Sequence, residues 1–124
     1  MKQTMIHSYP TVRQFDIWFA NLPKKENSHV QGGNRPVIIV SNNTANKFSP
    51  VITIIPLTSN LDKRPLPTHV SLYIDGLTAR SLALCEQLTT IDKHLLTNRV
   101  GAVDSLDRAA LNRALAIQFG TPVA

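Results

Sequence analysis

Two apolar runs separated by a short polar connector constrain the fold of this chain more than any other feature. Residues 37–40 and 51–57 are each bounded by polar turn residues, which is typical of neighbouring β-strands. Arg35 lies at the entry to the first run, and Thr58 directly follows the second. If the strands are antiparallel, a guanidinium and a hydroxyl come together at one end of the sheet, beside two glycines that expose backbone N–H groups. Such an arrangement can hold a phosphate.

The composition fits one small domain with an anionic partner. The chain has 124 residues, enough for one domain, and 43% of them are hydrophobic. Its net charge of +5 suggests an anionic partner, although a basic protein without one would carry the same charge. No apolar stretch approaches the ~20 residues that span a bilayer, and no apolar segment typical of a signal peptide follows Lys2. Cys85 is the only cysteine, which excludes an intrachain disulfide and suits a reducing, cytoplasmic location.

Short strands dominate the predicted secondary structure. Apolar alternation or continuous apolar character indicates strands at 15–20, 37–40, 51–57, 68–73 and 81–85, with a short sixth at 99–103. Residues 21–34 form a long predicted loop, and loops of that length in compact domains often carry function. Pro56 donates no backbone hydrogen bond, so we expect it near a strand end, an edge or a bulge.

A single helix is predicted after these strands. Asp104 or Ser105 is a good N-cap, and Gly120 and Pro122 are typical of a helix end. The apolar residues that repeat at helical spacing are Leu106, Ala110, Ala114 and Ile117, and these positions suggest a symmetric homodimer. Many short strands followed by one helix favour a small barrel or an α+β domain.

Five sequence blocks, in this order, resemble the MazF/PemK (Kid) family of toxin endoribonucleases over nearly the whole chain after Gln14. They are Phe-Asp-Ile-Trp at 15–18, Gln-Gly-Gly-Asn-Arg-Pro at 31–36, Pro-Leu-Thr-Ser at 56–59, Leu-Pro-Thr-His-Val at 66–70 and Glu-Gln-Leu-Thr-Thr-Ile-Asp-Lys at 86–93. The resemblance implies an α+β, mainly β fold, namely an SH3-like barrel of the CcdB/PemK type with a C-terminal helix. We expect one toxin domain at 14–120, flanked by tails at 1–13 and 121–124.

The resemblance implies the toxin of a type II toxin–antitoxin system, a metal-independent endoribonuclease that inhibits translation and growth. It would cleave single-stranded mRNA at specific sequences through attack by the substrate's own 2′-OH. That reaction needs positioning, stabilisation of charge on the phosphate and proton transfer. Arg35 would bind phosphate oxygens with its planar fork. Thr58 would hydrogen-bond a phosphate oxygen or orient the 2′-OH.

Two residues are candidates for the proton transfer. Glu86 follows an apolar segment, so we expect partial burial to raise its pKa towards the range of a general base. The alternative is a carboxylate paired structurally with a nearby arginine. His29 lies in the long loop, where the resemblance implies a role in RNA cleavage or binding. The alternative is a merely solvated histidine.

Residues in and beside the loops are predicted to bind the RNA strand. Basic side chains would follow its phosphates, and amides and hydroxyls would read its bases. The predicted RNA-binding residues are Gln31, Gly32, Gly33, Asn42, Lys47, Ser59, Asn60, Lys63, Arg64 and Gln87. The sequence shows no zinc-ligand spacing, P-loop or dinucleotide fingerprint, so we predict no metal and no cofactor.

The resemblance also implies the partners: single-stranded RNA, an acidic antitoxin protein and a second copy of the chain, with no membrane association. Two other functions stay open at this point. One is a CcdB-like toxin that inhibits a topoisomerase through protein contacts, and the other is a non-catalytic nucleic-acid-binding barrel. An RNA cleavage assay separates the three.

Overall fold

Seven β-strands and two α-helices are present in the part of the chain that the computed structural model describes, residues 10–61, 64–77 and 80–122. The strands are β1 (Asp16–Leu22), β2 (Gly33–Ile39), β3 (Val51–Thr58), β4 (His69–Leu72), β5 (Ser81–Leu84), β6 (Thr89–Asp92) and β7 (Leu96–Ala102). The helices are α1 (Asn43–Phe48) and α2 (Ser105–Phe119), and two 3-10 turns lie at Cys85–Gln87 and Lys93–Leu95. Among the described residues, none of the helices is both long and apolar enough to cross a membrane.

The strands form one antiparallel sheet in the order β4-β5-β3-β2-β1-β7. Strand β6 also pairs with β3, beside its first half, while β5 pairs with the last two residues of β3. No pairing closes the described sheet between β4 and β7. The mainly β architecture with a C-terminal helix confirms the predicted fold class, and the curved sheet is consistent with a small barrel.

The 3-10 turn Cys85–Gln87, called the 85–87 turn below, interrupts the strand that runs along β3. It lies between the β5 pairing, which begins at Leu57, and the β6 pairing, which ends at Ile54. Pro56 lies beside this interruption. The N–H of Val40 donates to the Thr53 carbonyl oxygen at 2.9 Å, so the alternating ladder turns the nitrogen of Pro56 away from β2. The missing N–H therefore faces the break in the neighbouring strand, as expected for a proline at a bulge.

The core has two parts, one on each face of the sheet. Ile38 belongs to the cluster that also contains Leu111 and Ala114 of α2, whereas Val37 and Ile39 belong to the cluster on the other face. All three β2 residues are fully buried. Strand β2 is therefore covered on both faces, which explains why its sequence is continuously apolar rather than alternating.

The structure corrects several predicted element boundaries. Strand β6 was not predicted, because Ile91 is its only buried residue and its sequence is otherwise polar. Strand β7 begins at Leu96 rather than at residue 99. The predicted loop at 21–34 is shorter, since β1 runs to Leu22 and β2 starts at Gly33. We call residues 23–32 the β1–β2 loop.

Helix α2 has the predicted ends, and it packs on the sheet through Leu111 and Ala114. The Asp104 side chain accepts the Asp107 N–H, and Gly120 ends the helix in the left-handed region at φ 67°. Leu106, however, is 83% exposed, and the fully buried leucine is Leu111. Five residues separate them, which is about 140° around an α-helix. Contact with the sheet at Leu111 therefore turns Leu106 towards solvent.

Candidate active site

The antiparallel register brings Arg35 and Thr58 to the same end of the β2–β3 hairpin, as predicted. Val37 pairs with Pro56, so two further residues along each strand place Arg35 opposite Thr58. Both residues line a cavity of about 290 Å³. Polar side chains from three segments line the same cavity: Asn34, Ser59, Asn60 and Ser81. It forms the first half of the candidate site.

Arg35 is held in place by the backbone because a proline follows it. In the β2–β3 ladder, any residue other than proline at position 36 would donate its N–H to the Leu57 carbonyl oxygen. Pro36 has no N–H, and the Nη1 of Arg35 donates to that oxygen instead, at 3.2 Å. The Nε of Arg35 donates to the Gly32 carbonyl oxygen at 3.0 Å. The guanidinium is thus fixed by two carbonyls, and its other N–H groups remain available to a ligand.

The charge of Arg35 survives this partial burial. Desolvation lowers the pKa of its guanidinium from the ordinary value. That ordinary value is so high that the group stays protonated near neutral pH. A half-buried, permanently charged fork with preset orientation is suited to bind phosphate oxygens.

Thr58 is 7% exposed at the end of β3, and its side chain is oriented by the next turn. Its Oγ1 accepts a hydrogen bond from the Asn60 N–H at 3.1 Å. Within the described residues, its hydroxyl proton has no acceptor. The hydroxyl can therefore donate to a ligand that enters the cavity beside Arg35.

A second cavity, of about 500 Å³, lies on the other side of Arg35 and is bounded by the β1–β2 loop. Charged and polar residues line it: Lys24, Lys25, Glu26, Ser28, His29 and Gln31. The side chain of His29 is exposed there. Gly33, at φ +83°, makes the turn from this loop into β2, a conformation that favours glycine. Arg35 thus stands at the junction of two cavities, one largely neutral and one rich in cations.

Glu86 lies in the 85–87 turn and is bonded through both carboxylate oxygens. Thr68 Oγ1 donates to Oε1 at 2.9 Å, and His69 Nε2 lies 2.8 Å from Oε2. Burial opposes ionisation of this carboxyl, but hydrogen bonds from His69, its own backbone and Thr68, together with the charge of His69, lower its pKa below the ordinary value. The expectation that burial would raise this pKa was wrong because these partners outweigh desolvation. Glu86 lines neither cavity beside Arg35.

Four of the other predicted RNA-binding residues line the two cavities beside Arg35. Ser59 and Asn60 line the first cavity, and Gln31 and Gly32 line the second. Gln87 contacts the β1–β2 loop, with its Oε1 accepting the Gln31 N–H at 2.8 Å. Arg64 is exposed and lines neither cavity, and Lys63 lies outside the described residues.

Two predicted residues lie at the opposite end of the hairpin. The Asn42 side chain caps α1 by accepting the Ala45 N–H at 2.9 Å. The Lys47 ammonium lies 5.3 Å from the centre of the Phe48 ring and lines a different cavity of about 530 Å³. The structure does not bring either residue to Arg35.

Sequence reasoning missed the two residues that hold Glu86. Thr68 directly precedes β4, and His69, the first residue of β4, pairs in register with Leu84 of β5. The block at 66–70 was noted as part of the family pattern, but no role was attached to its polar side chains. That role depends on the pairing of β4 with β5 and on the turn that follows β5, which local sequence does not reveal.

Comparison with known proteins identifies the family of this chain. The sequence matches the family model of PemK-like, MazF-like toxins of type II toxin–antitoxin systems over residues 13–119. Endoribonuclease EndoA of Bacillus subtilis is 36% identical over 110 residues, which cover 87% of this chain and 94% of that protein. Endoribonuclease MazF of Staphylococcus saprophyticus is 33% identical over 111 residues, covering 88% of this chain and 92% of that one.

Solved structures show the same fold. The Mycobacterium tuberculosis toxin MazF-mt6 superposes with a TM-score of 0.73 at 25% identity, covering 87% of this chain and 99% of that chain. An endoribonuclease from a mycobacterial species, solved in complex with its cognate antitoxin, gives a TM-score of 0.72 at 24% identity, covering 91% and 99%. The chain therefore belongs to the family of PemK-like, MazF-like toxins of type II toxin–antitoxin systems.

Proposed function

We propose that this chain is a toxin endoribonuclease that cleaves single-stranded RNA at specific sequences by attack of the substrate's own 2′-OH. One observation carries the proposal: Arg35 is fixed by two backbone carbonyls opposite the hydroxyl of Thr58, at the junction of two cavities. The similarity to proteins named endoribonucleases supports the reaction class.

The proposed reaction is a transesterification within the RNA. A base removes the proton of the 2′-OH, and the 2′-oxygen forms a bond to phosphorus while the bond to the 5′-oxygen breaks. The 5′-oxygen takes up a proton, so the products are a 2′,3′-cyclic phosphate and a 5′-hydroxyl. Arg35 stabilises charge that develops on the phosphate oxygens, and Thr58 donates a further hydrogen bond there or orients the 2′-OH.

The structure supports His29 over Glu86 as the group that exchanges a proton with the substrate. His29 lines the same cavity as Arg35, whereas Glu86 does not, and both oxygens of Glu86 are engaged by Thr68 and His69. A carboxyl with a lowered pKa is also a weaker base. In this proposal Glu86 anchors the 85–87 turn.

The substrate strand would cross Arg35 from one cavity to the other. Lys24 and Lys25 in the second cavity would attract the phosphates, and Ser59 and Asn60 in the first would hydrogen-bond to the bases. Cytoplasmic mRNA is the substrate we expect, and its cleavage would inhibit translation and growth.

Two protein partners complete the proposal. The net charge of +5 favours an antitoxin with an acidic segment that covers the cationic cavity and excludes RNA. A solved structure of similar fold contains its cognate antitoxin, which supports a partner of this kind. A symmetric homodimer is also part of the proposal, and the exposed apolar residues Leu106, Ile117 and Phe119 of α2 are available to an interface.

Cleavage of chemically modified oligonucleotides tests the proposed reaction. A cleaved RNA is compared with the same sequence that carries one 2′-O-methyl group directly 5′ of the scissile phosphate, in EDTA. We expect the unmodified RNA to be cut to a 5′-hydroxyl and a 2′,3′-cyclic phosphate, and the methylated RNA to be inert. Cleavage of the methylated RNA, or cleavage that requires an added metal ion, would contradict the mechanism. Absence of any RNA cleavage would favour the topoisomerase inhibitor or the non-catalytic barrel.

A further inference from the structure

The side chain of Gln87 joins the 85–87 turn to the β1–β2 loop. Its Oε1 accepts the backbone N–H of Gln31 at 2.8 Å, and its Nε2 donates to the backbone carbonyl oxygen of His29 at 3.2 Å. One amide group thus pairs with a donor and an acceptor of the loop backbone, much as a neighbouring strand does. Both ends of the amide are engaged in the protein without RNA.

The hydrogen bond between Gln87 and Gln31 lies one residue from a hydrogen-bond acceptor of Arg35. The carbonyl oxygen of Gly32, which follows Gln31 directly, accepts the hydrogen bond from Arg35 Nε. Gly32 also packs closely on the start of the loop, where a Cβ atom would lie 2.7 Å from the Pro23 carbonyl oxygen. Because Gln31 and Gly32 are adjacent in the chain, we expect a shift of the loop backbone at Gln31 to move the carbonyl that orients the guanidinium.

The other end of the connection is anchored in the sheet. Both oxygens of Glu86 are bound by Thr68 and His69, and the Cys85 N–H donates to the Thr68 carbonyl oxygen at 3.1 Å. Cys85 is fully buried. The backbone that carries Gln87 is therefore fixed by the two residues that precede it.

We propose that Gln87 is a positioning residue for the cleavage reaction: it holds the β1–β2 loop and, through Gly32, sets the orientation of Arg35. The proposal rests on the proposed endoribonuclease function. It differs from the sequence prediction that Gln87 binds RNA, because here the amide acts by holding the loop through one hydrogen bond at each of its ends.

Replacement of Gln87 by methionine tests this role, because methionine has a similar length and cannot form either hydrogen bond. We expect kcat to fall about 10- to 100-fold with KM changed by less than about 3-fold, the effect of misplacing a catalytic group. Hydrogen exchange in the RNA-free protein is the second readout. The amide of Gln31 should exchange at least about 10-fold faster in Gln87→Met, with β1 and β3 unchanged.

Gln87→Glu is a milder variant and keeps the proposal testable if the methionine variant folds poorly. The carboxylate can still accept the Gln31 N–H but cannot donate to the His29 carbonyl. Protection of the Gln31 amide should therefore persist in part, with a smaller loss of kcat. Gln14→Met is the matched control, since Gln14 Nε2 donates to the Val40 carbonyl oxygen at 2.9 Å at the other end of β2. It should change neither kcat nor exchange at Gln31.

Three results would overturn the proposal. Unchanged exchange at Gln31 with a KM raised at least about 10-fold would show that Gln87 contacts RNA instead. Unchanged exchange with unchanged kinetics would show that Gln87 is dispensable. Faster exchange with unchanged kcat would show that the loop does not position Arg35. If the wild-type protein does not cleave RNA, the proposed function fails, but the exchange data still decide whether Gln87 holds the loop.

Discussion

The two ends of the β2–β3 hairpin carry similar polar residues that have different hydrogen-bond partners. We call the end at Arg35 and Thr58 the near end, and the end that carries α1 the far end. At the far end, the Asn42 side chain caps α1, and Asn46, which is 2% exposed, bonds to the carbonyl and hydroxyl oxygens of Ser41. At the near end, backbone carbonyls hold Arg35 by part of its guanidinium, and the Thr58 hydroxyl is oriented by a backbone N–H. At the far end, side chains form hydrogen bonds that satisfy backbone groups. At the near end, backbone groups form hydrogen bonds that orient the side chains of Arg35 and Thr58.

On this difference we base the proposal that the polar residues of the far end are structural and that Arg35 and Thr58 are functional. Arg35 lines cavities of about 290 and 500 Å³, and the far end lines one of about 530 Å³ that is bordered by Arg13, Lys47 and Lys93. Neither cavity size nor basic character therefore distinguishes the candidate active site. What distinguishes it is a guanidinium held by two backbone carbonyls, beside a hydroxyl whose proton has no acceptor among the described residues.

Arg35→Ala should have the largest effect on cleavage. Loss of a preoriented donor to a developing phosphate charge costs about 2–4 kcal/mol of transition-state stabilisation, roughly 30- to 1,000-fold in kcat/KM. Lysine at this position should restore only part of the loss, because it supplies charge without the planar fork. Arg13→Ala, at the far cavity, is the matched control and should stay within about 3-fold of the wild type in the same assay. Equal losses for both variants would remove the distinction between the two ends.

Thr58→Ala should lower kcat/KM through a loss of about 1.5–3 kcal/mol of transition-state stabilisation, the range for a hydrogen bond to a charged group. Serine keeps the hydroxyl and should retain most of the activity. Thr97→Ala is a suitable comparison, since Thr97 lies on β7 and lines neither cavity beside Arg35, and its hydroxyl donates to the carbonyl oxygen of Phe19 on β1. Single-turnover cleavage of one oligonucleotide measures all three. A serine variant as inactive as the alanine variant would show that the hydroxyl is not the feature that matters.

Asn46→Ala should show the opposite pattern, with a loss of stability and no loss of chemistry. The buried amide donates to the Ser41 carbonyl oxygen and accepts the Ser41 hydroxyl proton, and removing it leaves that carbonyl and that proton without these partners at a cost of about 1–3 kcal/mol. Denaturant unfolding measures the change in free energy. Cleavage at a temperature where the variant is folded should match that of the wild type. A cleavage defect in fully folded protein would place the far end in the active machinery.

Glu86→Gln should reduce, by about 1 kcal/mol, the loss in free energy of unfolding that acidification causes. The effect is small because the Glu86 side chain is 26% exposed and its ion pair is partly solvated. The folded-state pKa of Glu86 lies below its ordinary value, so ionised Glu86 stabilises the fold above about pH 4.5. That contribution is lost as pH falls through the lower folded-state value. The free energy of unfolding, measured from about pH 7 down to about pH 3, should fall less in the variant than in the wild type. An identical pH profile would contradict a lowered pKa of Glu86 in the folded state.

The near end of the hairpin was predictable from sequence, and much of the rest was not. Two apolar runs with an intervening connector define an antiparallel pair, and the residues that flank the pair must then meet. The same reasoning places Asn42 and Lys47 at the other end, so their assignment to the site followed residue type rather than strand direction. The Glu86–His69 contact and the exposure of Leu106 depend on which distant elements pack together. Local pattern does not contain that information.

Chemical-shift mapping with an RNA that cannot be cleaved tests the central claim most directly, because it observes both ends of the hairpin in one experiment. A 2′-O-methyl oligonucleotide of a cleaved sequence is titrated into isotopically labelled protein. We expect perturbed signals at Gly32–Arg35 and at Thr58–Asn60, with α1 unperturbed. Perturbation centred on α1 and Lys93, with the signals of Arg35 and Thr58 unchanged, would contradict the account.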